Sequence, residues 1–186
     1  MFATRLTATL AAAMLATTLT ACGGGDDEPE PLPPMMSAEV DGISHATDQV
    51  NSTWASPTPT TEDELFTSID GVVEQSATTA LGWRIELVGQ PAVGAYRCSA
   101  PSLSHANVYY FDDLRKYAAT GEWVINWPTS FFASDCTVTI ESVEGDVVTG
   151  SFSATLENRD GSSVKTITNG TFRVPKTGET LLVSPS

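Results

Sequence analysis

A chain of 186 residues with nine Lys and Arg against 23 Asp and Glu carries a formal charge of -14, with 41% of its residues apolar and 8% aromatic. That balance excludes a disordered chain, a polytopic membrane protein and a coiled coil. It also excludes nucleic acid as a partner, because so acidic a surface is repelled by phosphate and has few cations with which to release its counterions.

The first 21 residues, MFATRLTATLAAAMLATTLTA, set one basic residue, Arg5, before a run of small and apolar residues without an acid. The run is too short to span a bilayer stably and has the order of a secretory signal. Its end, Leu19-Thr20-Ala21-Cys22, resembles the lipobox of bacterial lipoproteins. The resemblance implies that residues 1–21 are removed, that the Cys22 sulfur carries diacylglycerol and that the new amine is acylated, with a fatty acid such as palmitate. Each buried methylene adds about 0.8 kcal/mol, so two or three chains make a durable membrane anchor where one does not. Gly23 in place of Asp after the cysteine implies sorting to the outer membrane of a Gram-negative bacterium, facing either the periplasm or the cell exterior. Cleavage removes Arg5 alone among the charged residues, leaving eight basic and 23 acidic residues and a charge of -15.

Residues 22–35 then read as the lipidated cysteine and a tether, with Gly23 to Gly25 for flexibility, mutually repelling acids and prolines that hold the chain extended. Asp26, Asp27, Glu28 and Glu30 stand on an open segment, whereas calcium needs oxygens that converge around a turn. No metal and no cofactor is expected.

Residues 36–186 are enough for one domain, and their periodicity is that of strands. Trp83, Ile85 and Leu87 alternate with Arg84 and Glu86, and Phe152, Ala154 and Leu156 with Ser151, Ser153, Thr155 and Glu157. Strands are predicted over 37–40, 43–47, 65–73, 83–88, 95–98, 107–111, 122–127, 136–143, 147–157, 163–168 and 171–174. Turn chemistry falls at Asp41-Gly42, Asp70-Gly71, Gly89 to Gly94, Thr120-Gly121, Gly145-Asp146, Asp160-Gly161 and Asn169-Gly170. The sequence Asp112 to Ala119 has acids first and basic residues later, the order a short helix prefers. The expected class is all-β, a single antiparallel β-sandwich or flattened barrel.

Lipidation of Cys22 leaves Cys98 and Cys136 as a pair, each on the apolar side of its strand, so a disulfide across the core is expected in an oxidising compartment. The alternative, a reactive or metal-binding thiol, lacks a second Cys or a His at ligand spacing. His45 and His105 read as surface or packed histidines. Asp112-Asp113 and Glu62-Asp63-Glu64 read as solvated acids, because neighbours on a strand point to opposite faces and cannot share a cleft. Asn51-Ser52-Thr53 and Asn169-Gly170-Thr171 match the glycosylation pattern but read as turns.

The densest chemistry is Trp123-Val124-Ile125-Asn126-Trp127-Pro128-Thr129-Ser130-Phe131-Phe132. One reading makes Trp123, Ile125 and Trp127 a core face with Phe131 and Phe132 filling the sheet edge. The other makes Trp127, Phe131 and Phe132 an exposed ledge that stacks on sugar faces or anchors a partner protein.

Gly150-Ser151-Phe152-Ser153-Ala154-Thr155-Leu156, the turn at Arg159-Asp160-Gly161 and Ile167-Thr168-Asn169-Gly170-Thr171-Phe172 resemble the close of a small domain of unknown function in bacterial lipoproteins, where "GTFSFT" precedes "ITNGTF". Met36-Ser37-Ala38-Glu39-Val40-Asp41-Gly42 resembles that family's first hairpin, so the similarity spans 36–174. Ile43-Ser44-His45 stands where the family often has an aromatic, and Glu122 to Asp135 is longer than usual. The resemblance implies no catalytic residues, and the chain lacks the common nucleophile, zinc-hydrolase and nucleotide-binding motifs. The expected function is a membrane-anchored binding or envelope-structural module that meets an envelope protein or glycan. The alternative is a carboxylate- or metal-assisted hydrolase of envelope glycans.

Overall fold

Phe152, Ala154 and Leu156 turn to the buried side of their strand, and Ser151, Ser153, Thr155 and Glu157 to the wetter side, as a two-residue period requires. The same alternation builds the whole molecule. The computed structural model describes residues 32–58, 65–98, 104–117, 120–126, 129–178 and 181–183. Within the unit Leu32–Ser186 these residues form twelve strands and no α-helix. The strands are β1 (Met35–Val40), β2 (Ile43–Thr47), β3 (Val50–Thr53), β4 (Phe66–Glu74), β5 (Thr79–Val88) and β6 (Gly94–Arg97). They continue as β7 (Ala106–Lys116), β8 (Trp123–Val124), β9 (Ser130–Glu144), β10 (Val147–Asn158), β11 (Val164–Pro175) and β12 (Leu182–Val183).

The main path runs β2-β1-β11-β10-β9-β7-β5-β4-β3, antiparallel at every step. Its two ends come back together. Ser52 of β3 bridges to Lys176 just beyond β11 and donates from its hydroxyl to the Pro175 carbonyl at 3.0 Å. Thr47, at the end of β2, donates to the Val72 carbonyl, and the Val72 N–H donates to the Gln49 carbonyl at 3.0 Å. The result is a nearly closed antiparallel barrel of flattened, sandwich-like form.

Side chains fill its interior, among them Met36, Trp83, Tyr110, Phe131, Phe152, Leu156 and Phe172. Phe172 lies opposite Gly150, and Phe152 opposite Gly170, so each ring covers a neighbouring strand where a side chain is missing. A second apolar cluster sits on the other side of β4, β5 and β7. Val72, Ala80, Phe111 and Leu114 are covered there by Trp123, Ile125 and Leu182. The cover is made by β8, antiparallel to β7, and β12, parallel to β8.

Five details differ from the sequence expectation. Asn169-Gly170 is not a turn: β11 runs through it, and the positive φ of Asn169, 53°, makes a bulge at which the register shifts against both β1 and β10. Asp70-Gly71 lies inside β4, where Gly71 is required because a Cβ would stand 2.7 Å from the Met36 sulfur. Asn51-Ser52-Thr53 is strand β3, not a turn. Asp112 to Lys116 continues β7 rather than forming a helix, because Leu114, opposite Ala80, has an apolar cluster to enter. Cys98 and Cys136 are joined by a disulfide between neighbouring strands, not across the core, at the position following the Arg97–Thr137 pair.

Candidate functional site

The aromatic run divides in the structure. Trp123 and Ile125 are buried, but in the outer cluster and not in the barrel interior. Trp127 lies outside the described residues, as do Cys22, Asp26, Asp27, Glu28, Glu30 and the Glu62-Asp63-Glu64 group. Phe131 and Phe132 are strand neighbours on β9, so they take opposite faces. Phe131 is therefore not part of a ledge. It is 6% exposed inside the barrel, 6.2 Å from the Tyr110 ring, with the Lys165 ammonium 4.9 Å above it. Phe132 is half-buried on the outer face, edge-on to Tyr109 at 5.7 Å, and Tyr109 stacks with Phe111 at 6.3 Å.

These rings belong to one cross-strand row. Register pairs Asp70 with Arg84, Arg84 with Tyr109, Tyr109 with Phe132, and Phe132 with Glu157, so the row crosses β4, β5, β7, β9 and β10. At its inner end Asp70 is 1% exposed and meets Arg84 through two hydrogen bonds, Nε to Oδ1 at 2.8 Å and Nη2 to Oδ2 at 3.1 Å. Arg84 also donates to the Leu182 carbonyl at 2.7 Å and so pins β12 over the sheet. Burial pulls the Arg84 guanidinium down, but the charge and hydrogen bonds of Asp70 outweigh it and hold the group above its ordinary value. Tyr109 donates to Glu86 at 3.0 Å; burial, and then the Glu86 carboxylate, push its phenol well above the usual range.

At the other end of the row Phe132, Ala133 and Ser134 of β9 face Glu157, Asn158 and Arg159 across an open depression of about 560 Å³. Its wall is stiffened by the β10–β11 turn. Asn158 donates to the Ser162 hydroxyl at 3.1 Å and accepts from the Ser163 N–H at 2.9 Å, and Asp160 accepts from the Ser162 N–H at 2.9 Å. The hydrogen bonds from Ser162 hold the Asp160 carboxyl below its usual value. The side chains of Glu157 and Arg159 make no hydrogen bond or ion pair among the described residues. The depression thus sets one anion and one cation, neither engaged by a described side chain, beside the half-buried Phe132.

The remaining candidates are dispersed. Asp113 pairs with Arg115 at 2.6 Å and accepts from Asn126 at 3.2 Å, whereas Asp112 is influenced by Lys165; burial raises the Asp112 carboxyl and Lys165 opposes that shift. The two acids therefore do not form a carboxylate pair. His45 stands edge-on to Trp83 at 6.3 Å, and His105 meets Asn107 at 3.2 Å. Among the described residues no three His, Cys, Asp or Glu side chains are placed to hold a metal. Sequence reasoning named Phe132 but missed Glu157 and Arg159. Counting back from the Gly145-Asp146 turn pairs Phe132 with Arg159, which was the signal available; two bulges in β9, at Glu141 and Ser134, move its partner to Glu157, and nothing in the sequence marks them. Comparison with protein-family models, curated proteins and solved structures finds no match.

Proposed function

We propose that this chain is a lipid-anchored lipoprotein of the bacterial outer membrane whose β-barrel acts as a binding module, with the depression at Phe132, Glu157 and Arg159 as its contact site. The lipobox at Leu19-Thr20-Ala21-Cys22 supports the anchor, and the strand-built unit begins only at Leu32, so Cys22 is separated from the barrel by a Gly-, acid- and Pro-rich stretch. The resemblance of residues 36–174 to the lipoprotein domain of unknown function agrees with that placement. The observation that carries the binding role is the depression itself. It is built on two long paired strands and a hydrogen-bonded turn, and it holds two charges of opposite sign that no described side chain engages.

Two measurements test the proposal. Cys22→Ala should move the protein from the membrane to the soluble fraction of the cell envelope; continued pelleting with outer membranes after a salt wash would overturn the anchor. A photoreactive residue at Ser134 should give discrete adducts in living cells, whereas one at Ser151, on the outer side of β10 near its middle, should not. Equal adducts at both positions, or none at Ser134, would overturn the contact site.

A further inference from the structure

We propose that the free edge of β2 is a strand-addition site for an extended peptide in which basic residues alternate with apolar ones. The site stands apart from the depression between β9 and β10 and does not rest on it.

The main chain supplies the site. β2 ends the main path of the sheet and pairs with β1 on one side only. Val40 and Ile43 flank a two-residue turn and exchange both main-chain bonds, so the pairs beyond them alternate, and the N–H and C=O groups of Ser44 and Ala46 point away from β1. Among the described residues none of these groups has a partner, and both residues are exposed. On that side β2 is tied to β4 only at its last residue, where Thr47 donates to the Val72 carbonyl. Sheet edges are commonly blocked by a charge, a proline or a bulge. Ile43 to Thr47 contains no Lys, Arg, Asp, Glu or Pro, and its register with β1 is unbroken. Such an edge takes up another strand through its main chain and reads alternate side chains on the two faces.

The outer face selects a cation. In an added antiparallel strand the residues opposite Ser44 and Ala46 share their face, where a depression of about 350 Å³ is lined in part by Ser37, Glu39, Ser44, Ala46 and Asn169. Glu39 accepts from Thr168 and Asn169 on Oε2, and its Oε1 is unengaged. The small side chains of Ser44 and Ala46 leave a long cationic side chain a path to that oxygen, across two strand spacings or roughly 9–10 Å. Asp41 and Asp48 stand exposed before and after the strand. Lys165 offsets part of the first, at 3.7 Å, and no described cation pairs with the second. The same two acids disfavour a second copy as the occupant, since antiparallel pairing of two β2 strands would bring Asp41 of each close to Asp48 of the other.

The inner face selects an apolar residue. Ile43 is 63% exposed there, and an aliphatic side chain beside it would take that surface out of water. Next along the same face His45 lies edge-on to Trp83 at 6.3 Å. Trp83 is fully buried, yet its indole N–H has no acceptor. A buried donor without an acceptor is destabilising, and this one belongs to the ring that His45 of β2 meets, so polar pairing on this side of the edge is incomplete in the isolated chain.

The test uses the full chain in detergent micelles and measures anisotropy of a labelled, end-blocked pentapeptide of alternating lysine and valine. That peptide should bind, less tightly as salt is added, and its glutamate–valine counterpart should not. N-methylation of its lysine main-chain nitrogens, which face β2, should weaken binding about fivefold or more. Ser44→Pro should do the same, and Glu39→Gln should weaken binding about threefold. The N-methylated peptide needs no change to the protein, so the test holds even if a thermal melt shows that Ser44→Pro disturbs the hairpin. No binding of the lysine peptide, equal binding of its N-methylated form, or equal binding of the glutamate peptide would overturn the proposal. Self-association of the chain that Ser44→Pro abolishes would overturn it in favour of a second copy.

Discussion

Arg84 and Asp70, with 13% and 1% of their side-chain surface exposed, have exchanged water for each other. A buried pair of this kind gains little over a well-packed apolar pair but costs heavily when one member is removed, because a desolvated charge is left behind. Asp70→Asn should therefore destabilise the fold by about 3–5 kcal/mol in a urea melt, and Asp70→Leu combined with Arg84→Met should cost clearly less. If the single and double variants lose the same stability, the pair is not energetically coupled. Tyr110 offers a second prediction. Burial first, and then Asp112 and Asp41, push its phenol up to about 12, whereas an unfolded tyrosine ionises near 10. The folded state keeps a proton that the unfolded state gives up, so stability falls as pH rises from about 10 and the loss is complete above about 12. Tyr110→Phe should flatten that part of the alkaline unfolding curve, and an unchanged curve would contradict it. Neither residue's role was legible in the sequence. Asp70 stands before a glycine and reads as a turn, and only the β4–β5 register, set by residues on both strands, brings it opposite Arg84.

At the level of elements, local chemistry marks where the backbone departs from a regular strand better than it marks where the chain goes next. Asp41-Gly42 does close the β1–β2 hairpin, and positive φ angles of 51° and 79° are what Asp-Gly supplies there. Asn169-Gly170 supplies the same kind of conformation, yet the chain does not reverse. Strand partners on both sides, β1 and β10, hold β11 to its course, and the extra residue becomes a bulge. Asn169 donates from that bulge to the Glu39 carboxylate at 3.1 Å, and Thr168 donates to the same oxygen at 3.3 Å. The two positions should respond differently to mutation. Asn169→Gly keeps a conformation glycine adopts freely and should change stability by less than about 1 kcal/mol. Gly170→Ala puts a Cβ 2.6 Å from the Phe152 ring and 2.5 Å from its carbonyl, and should cost about 1–3 kcal/mol. Thermal melts of the two variants check the order, and an equal loss at both positions would mean that the ring can move aside. The outer cluster shows the complementary blind spot. Trp123 reads as a buried strand residue and is one, but its partner strand β12 is two residues long and carries no periodicity to detect.

For the molecule as a whole, the class was legible because alternation and turn residues recur along the chain, while closure was not, since it depends on pairs distant in sequence. The cysteines were paired correctly and misplaced by the same gap: facing inward is a property of each strand, whereas being neighbours is a property of the sheet order. Their bond encloses a sequence separation of 38 residues and should contribute about 4 kcal/mol by restricting the unfolded chain. Replacing both cysteines by alanine should lower the urea midpoint accordingly, and the unreduced protein should show no alkylatable thiol at either position even when denatured. The sheet order also has a consequence in time. The first strand, β1, pairs with β11, and Ser37 meets Thr171 across a separation of 134 residues. A chain delivered from its N-terminus can form the β4–β5 hairpin early, but β1 has only β2 beside it until the last third has emerged. High contact order of this kind places folding toward the slow end for small domains, roughly milliseconds to seconds. During that interval the apolar side of β1, with Met36, Ala38 and Val40, waits without its second partner, so this strand is where a chaperone that holds newly delivered chains has the longest opportunity to bind.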